Sequence, residues 1–97
     1  MAERRQSRRA RIALSCRLRH AAGSPIWAET IDVGEGGMSV RATRPLRADE
    51  TVDFDLGEAD VHGRARVLRH PSPRVYGLRF ESVDGREQLL GLLQTGV

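Results

Sequence analysis

Two short stretches carry side chains suited to holding an anionic partner. The first, ERRQSRRAR (3–11), contains Arg4, Arg5, Arg8, Arg9 and Arg11 within nine residues. A guanidinium is a planar fork that pairs bidentately with phosphate and with the acceptor edge of guanine. The second stretch, DVGEGGMSV (32–40), has Asp32, Gly34, Gly36 and Gly37 where a simple hairpin would need fewer glycines. The question is whether it is only a turn or half of a binding site whose other half is the arginine cluster.

Other chemistries find little support. His20, His62, His70 and Cys16 have no short metal-ligand spacing, so no metal site is expected. No nucleophile elbow is present, and GEGG does not open a helix as a phosphate loop would. The expectation is a protein that is not an enzyme. At 97 residues the chain is one small domain, and a surface site suits it better than a deep pocket. No apolar run approaches a membrane span, and the charged N-terminus lacks the apolar core of a secretory signal. These features fit a cytoplasmic bacterial product. The single cysteine, Cys16, excludes an internal disulfide and reads as a core residue.

Charge is unevenly placed. Residues 1–20 hold seven arginines and one acid, a charge of +6, whereas the other 77 residues hold nine arginines and twelve acids, or −3. Their sum is the overall +3, and there is no lysine. Clustering at one end suggests an anionic partner there. The acids Asp49, Glu50, Asp53, Asp55, Glu58 and Asp60 read as a solvated strand face or a protein-docking edge, and would repel duplex DNA.

The elements that must position these residues are strands. Residues 1–11 read as a flexible arm. From Ile12 the chain alternates, with Ile12, Leu14, Cys16 and Leu18 on one face and Arg17 and Arg19 on the other. IWAETIDV (26–33) alternates less cleanly, and Trp27 within it suits core or barrel-end packing, or else an exposed platform. Strands follow at MSVRAT (38–43), TVDFDLG (51–57), VHGRARVLRH (61–70) and RVYGLRFES (74–82), separated by turn signals. The leucines at 89, 90, 92 and 93 then follow a helical period over 85–94, with Asp84 and Glu87 spaced like a capping box. Alone, so short a helix is unstable, so its leucines must pack on an open end of the barrel.

Arg5-x-x-x-Arg9 preceded by Arg4, then Asp32-x-Gly34-x-x-Gly37 between two strands, then YGLRF (76–80) before a helix, together resemble the PilZ domain family. Its signature pairs R-x-x-x-R in an N-terminal arm with [D/N]-x-S-x-x-G in a turn. The resemblance covers essentially the whole chain. It implies an all-β fold: a six-stranded antiparallel PilZ-type β-barrel with a C-terminal α-helix. It also implies a ligand, the second messenger cyclic di-GMP. Arg5 and Arg9 match the motif arginines, and Arg4 stands at the position before them. Asp32 and Gly37 match the turn motif. An arginine can take guanine O6 and N7, and a carboxylate such as Asp32 can accept from guanine N1 and N2. Arg74 and Arg79, in the last strand, are not counted among the binding residues. Gly34 departs from the pattern, since it stands where the motif has serine. The lost hydroxyl and the added loop entropy together amount to about 1–2.5 kcal/mol, on the order of 5- to 70-fold in affinity.

The leading expectation is a stand-alone cyclic di-GMP receptor or adaptor. Its arm would order over the barrel on binding and change the surface offered to a protein effector. A PilZ-like adaptor blind to the nucleotide is the first alternative. A nucleic-acid binder using the arginine arm is the second and weaker one, with Trp27 as its one plausible stacking platform.

Overall fold

The computed structural model describes residues 9–69 and 72–95. Alternating apolar side chains with Gly and Pro between them produce short strands: β1 Arg9–Ala10, β2 Ser15–His20, β3 Ile26–Gly34, β4 Gly37–Ala42, β5 Thr51–Leu56, β6 Val61–Leu68 and β7 Val75–Asp84. A 3-10 turn at Gly57–Ala59 joins β5 to β6, and helix α1 (Arg86–Thr95) follows β7. All pairings are antiparallel. Six strands close a ring in the order β3-β2-β5-β6-β7-β4, sealed by the β3–β4 pairing, and β1 adds to β3. The fold is thus the expected six-stranded antiparallel barrel with a C-terminal helix, plus one short strand.

The core is the inward half of the alternation. Cys16, Leu18, Val33, Val40, Leu56 and Val67 are buried in it, and Phe54 stacks on Phe80 with ring centroids 4.9 Å apart. Leu89 and Leu93 bring one face of α1 into the same cluster, while Leu90 is exposed. The helix therefore gains its stability from the barrel. The Asp84–Glu87 capping box does not form. Asp84 is the last residue of β7, and the Gly85 carbonyl, accepting from the Leu89 N–H at 2.9 Å, takes the first helical hydrogen bond, so Asp84 stands one residue too early to cap.

Four local expectations change. Arg9 and Ala10, expected within the arm over 1–11, form strand β1 by pairing with Gly34 and Val33, and Ala10 is buried; residues 1–8 of that expected arm lie outside the described residues. The strand expected from Ile12 starts at Ser15. Ahead of it, Thr30 takes over the hydrogen bonding: its Oγ1 accepts from the Leu14 N–H at 2.8 Å and donates to the Ile12 carbonyl, and its own N–H bonds the Leu14 carbonyl at 2.9 Å. Trp27 is 56% exposed rather than core, on the opposite face of β3 from Ile26 and Ala28. Finally, the acids of β5 do not form a bare acidic face. Asp55 pairs with Arg17 of β2 at 3.1 Å, and Asp53 with Arg64 of β6 at 3.4 Å.

The untidy alternation of β3 has a structural cause. Its register against β4 shifts between Thr30 and Asp32. Ala28 and Thr30 point inward, and so does Val33, because Ile31 is an extra residue in the ladder. Such a bulge re-aims every side chain that follows it. Here it turns Asp32 to the outer face.

Candidate functional site

Asp32 and Arg9 meet on that outer face. The β1–β3 register sets Arg9 opposite Gly34, and the bulge sets Asp32 two residues earlier. The guanidinium of Arg9 donates from Nε at 3.1 Å and from Nη2 at 2.5 Å to the same Asp32 oxygen, Oδ1. Both groups keep contact with solvent, so the pair adds at most about 1 kcal/mol to folding. Its significance is positional. Residues 23 apart in sequence place a cation and a carboxylate side by side.

The glycines shape what lies beside them. The turn from β3 to β4 brings Gly37 against β7, where it faces Arg79 in register. A Cβ on Gly37 would stand 2.2 Å from the Leu78 carbonyl oxygen, so only glycine allows that approach. The Phe80 N–H bonds the Gly36 carbonyl at 2.8 Å and ties the turn to β7. A cleft of about 210 Å³ results, bordered by Arg9, Gly36, Gly37, Ser39, Leu68 and Arg79.

A larger cleft, about 600 Å³, runs across the outer face of β2, β5, β6 and β7. Its walls are cross-strand pairs: Arg17–Asp55, Arg64–Asp53, and His62 with Asp84 at 3.6 Å. Arg9 on the smaller cleft is paired as well, with Asp32, but Arg79 on its rim has no carboxylate among the described residues. The smaller one is lined by Arg9 and Gly37, two of the residues singled out in the sequence, with Asp32 hydrogen-bonded to Arg9 beside it, so it is the candidate site.

Of those residues, Arg9, Asp32, Gly34 and Gly37 come together. Arg4 and Arg5 lie outside the described residues. Arg74 is occupied elsewhere, donating to the Thr43 carbonyl at 2.7 Å. Arg79 is the residue the sequence reading passed over. Alternation in VYGLRF was enough to put Arg79 and Gly77 on one face; the register that sets that face beside the turn was not readable. Among the described residues, no group of three His, Cys, Asp or Glu side chains could hold a metal ion. His20 is buried at the end of β2, where its Nε2 accepts from the Arg47 N–H at 3.2 Å.

Comparison with known proteins agrees with this geometry. The PilZ domain family profile matches residues 3–94, nearly the whole chain. Two solved structures share the fold. One is the inhibitor of motility MotI/DgrA of Bacillus subtilis, at 18% identity and TM-score 0.71; the match covers 95% of this chain and 49% of that one. This chain thus spans about half the length of MotI. The other is the PilZ domain of YcgR from Escherichia coli, solved with c-di-GMP, at 18% identity and TM-score 0.70, covering 97% of this chain and 92% of that one. No curated protein matches in sequence. A closed six-stranded barrel, an arginine strand paired beside an Asp-Gly turn, and a profile spanning the length of the chain lead to one assignment: the protein belongs to the PilZ domain family.

Proposed function

We propose that this domain is a cyclic di-GMP receptor that passes its signal to a protein partner, and that it performs no reaction on the nucleotide. The observation that carries the reading is the Arg9–Asp32 pair beside Gly34 and Gly37. It joins the two halves of the motif, and its chemistry fits the ligand. The Arg9 fork matches a phosphate or the O6/N7 edge of guanine, while Asp32 accepts from N1 and N2. Arg4 and Arg5 would join Arg9 from the preceding arm. Ordering of that arm over the cleft would present a new surface to the effector. A cytoplasmic bacterial setting is where such a messenger would be met.

Calorimetry with cyclic di-GMP tests this. Binding is expected for the wild-type protein. Arg9→Ala removes a charged hydrogen-bonding group and should weaken it roughly 10- to 150-fold. No heat from wild-type protein at tens of micromolar, with an Arg9→Ala trace that looks the same, would sink the proposal.

One observation favours a second reading. Gly34 has no hydroxyl where the family motif has one, which suits an adaptor that docks without the nucleotide. The same titration separates the two. Nucleic-acid binding gains little, because Trp27 is the one large exposed aromatic among the described residues, and single-strand binding needs successive stacking rings.

A further inference from the structure

The outer face of β4 and β7 next to the turn is unusually bare. Gly37 and Gly77 lie on it, while their neighbours Met38 and Leu78 point into the core. Around this backbone floor stand three side chains: Leu68, Ser39 and Arg79. Ser39 is paired in register with Asp32 across β3–β4 and with Gly77 across β4–β7. Its hydroxyl thus faces the same side as the Asp32 carboxylate. Arg79 is paired with Gly37 and lies on the rim of the cleft that Arg9 borders. Several exposed arginines of the barrel have carboxylates: Arg17 has Asp55, Arg64 has Asp53 and Arg66 has Glu81. Among the described residues Arg79 has none, and of the arginines so left, which include Arg19 and Arg41, it is the one that borders this cleft.

We infer that Ser39 and Arg79 extend the nucleotide site onto the barrel wall. Ser39 supplies the hydroxyl that Gly34 lacks, and Arg79 reads a guanine edge laid on the Gly37–Gly77 floor. This rests on the cyclic di-GMP reading above. Three physical points carry it. A flat base needs a floor with few side chains in it, and Gly37, drawn in against the Leu78 carbonyl, with Gly77, flanked by Leu68, provides one. An aliphatic wall such as Leu68 favours a purine face over water. A guanidinium with no internal partner can spend both arms of its fork on O6 and N7, an acceptor pair that adenine does not present. Arg79 stands on a ten-residue strand, so no backbone need be ordered when it binds. It is therefore suited to setting base specificity, with the arm supplying further affinity.

The test is calorimetry on the full chain with cyclic di-GMP and, as the adenine counterpart, cyclic di-AMP. Arg79→Ala should weaken cyclic di-GMP roughly 5- to 150-fold while changing cyclic di-AMP far less, so that base discrimination narrows. Arg79→Lys keeps the charge and loses the fork, and should narrow discrimination as well. Ser39→Ala should weaken cyclic di-GMP roughly 2- to 10-fold. Arg41→Ala is the control: it removes the same charge from the same face of β4, two residues beyond Ser39, and should leave discrimination intact. Circular dichroism melts verify that each variant is folded. If wild-type protein binds and discriminates but Arg79→Ala and Arg79→Lys both match Arg41→Ala, this extension is wrong while the receptor reading stands. If wild-type protein binds neither nucleotide, both fall together.

Discussion

On the receptor reading proposed above, Gly34 is the residue at which sensing and mere docking part. Taken alone, its missing hydroxyl and added loop freedom predict an affinity on the order of 5- to 70-fold below that of a serine-bearing site. Ser39 alters that expectation. With a hydroxyl already on the Asp32 side of the cleft, Gly34→Ser should gain chiefly from stiffening the turn, roughly 2- to 5-fold. In a Ser39→Ala background the same substitution should gain more, approaching the full range. A double-mutant cycle by calorimetry reads the difference, and additive effects would show that the two positions do not share a role. At this scale the sequence was informative about identity and silent about partnership. Arg9, Asp32 and Gly37 stood out by type and spacing. Ser39 and Arg79 did not, because what distinguishes them is the strand lying across from each.

Among the elements, β3 matters most. Its bulge at Ile31 changes the phase of the alternation, so that Ala28 and Thr30 before it and Val33 after it all face the core while Asp32 faces out beside Arg9. Deleting Ile31 removes the extra residue, so Thr30↔Val40 and Asp32↔Ser39 become consecutive pairs of a regular ladder and Asp32 keeps to the outer face. The barrel should therefore survive, its stability in a thermal melt lowered by no more than about 1–2 kcal/mol for one half-buried side chain. The added bend and twist that a bulge gives its strand would be lost, and nucleotide binding should fall. Asp32→Asn should leave the melt nearly unchanged and weaken only the nucleotide. Full-strength binding by the Ile31 deletion in calorimetry would show that the bulge does not aim the site. The strands themselves were legible because period-two alternation survives in β2, β5 and β6. The bulge showed only as poor alternation in IWAETIDV, since an inserted residue is defined by the ladder it interrupts. β1 was missed for a related reason. Two residues carry no period, and Arg9–Ala10 is a strand only by virtue of Gly34 and Val33.

For the whole molecule, closure of the ring decides what solvent reaches. Cys16 is fully enclosed, and burial pushes its thiol from 9.0 up to about 12, with the nearby Asp55 charge adding to the rise. The sign follows from the neutral form being favoured in the folded state. This contribution to stability is fully present below pH 9.0, and is lost as pH climbs through about 12. Native protein at pH 8 should therefore resist thiol reagents, with modification proceeding at the rate of opening. Rapid labelling of folded protein would contradict that enclosure. Closure also explains why the acidic run from Asp49 to Asp60 was misleading when read along the chain. Folding interleaves it with arginines from β2 and β6, so the outer wall is a lattice of alternating sign. Ring closure has a less obvious corollary at Trp27. The single indole of the chain stands 56% exposed, roughly 15 Å along β3 from Asp32. Already wet in the native state, it should emit at long wavelength whether the barrel is folded or not. Intrinsic fluorescence will then be nearly blind both to unfolding and to nucleotide. A flat emission trace in a titration of this protein is what an outward tryptophan dictates, and carries no information about whether the site is filled.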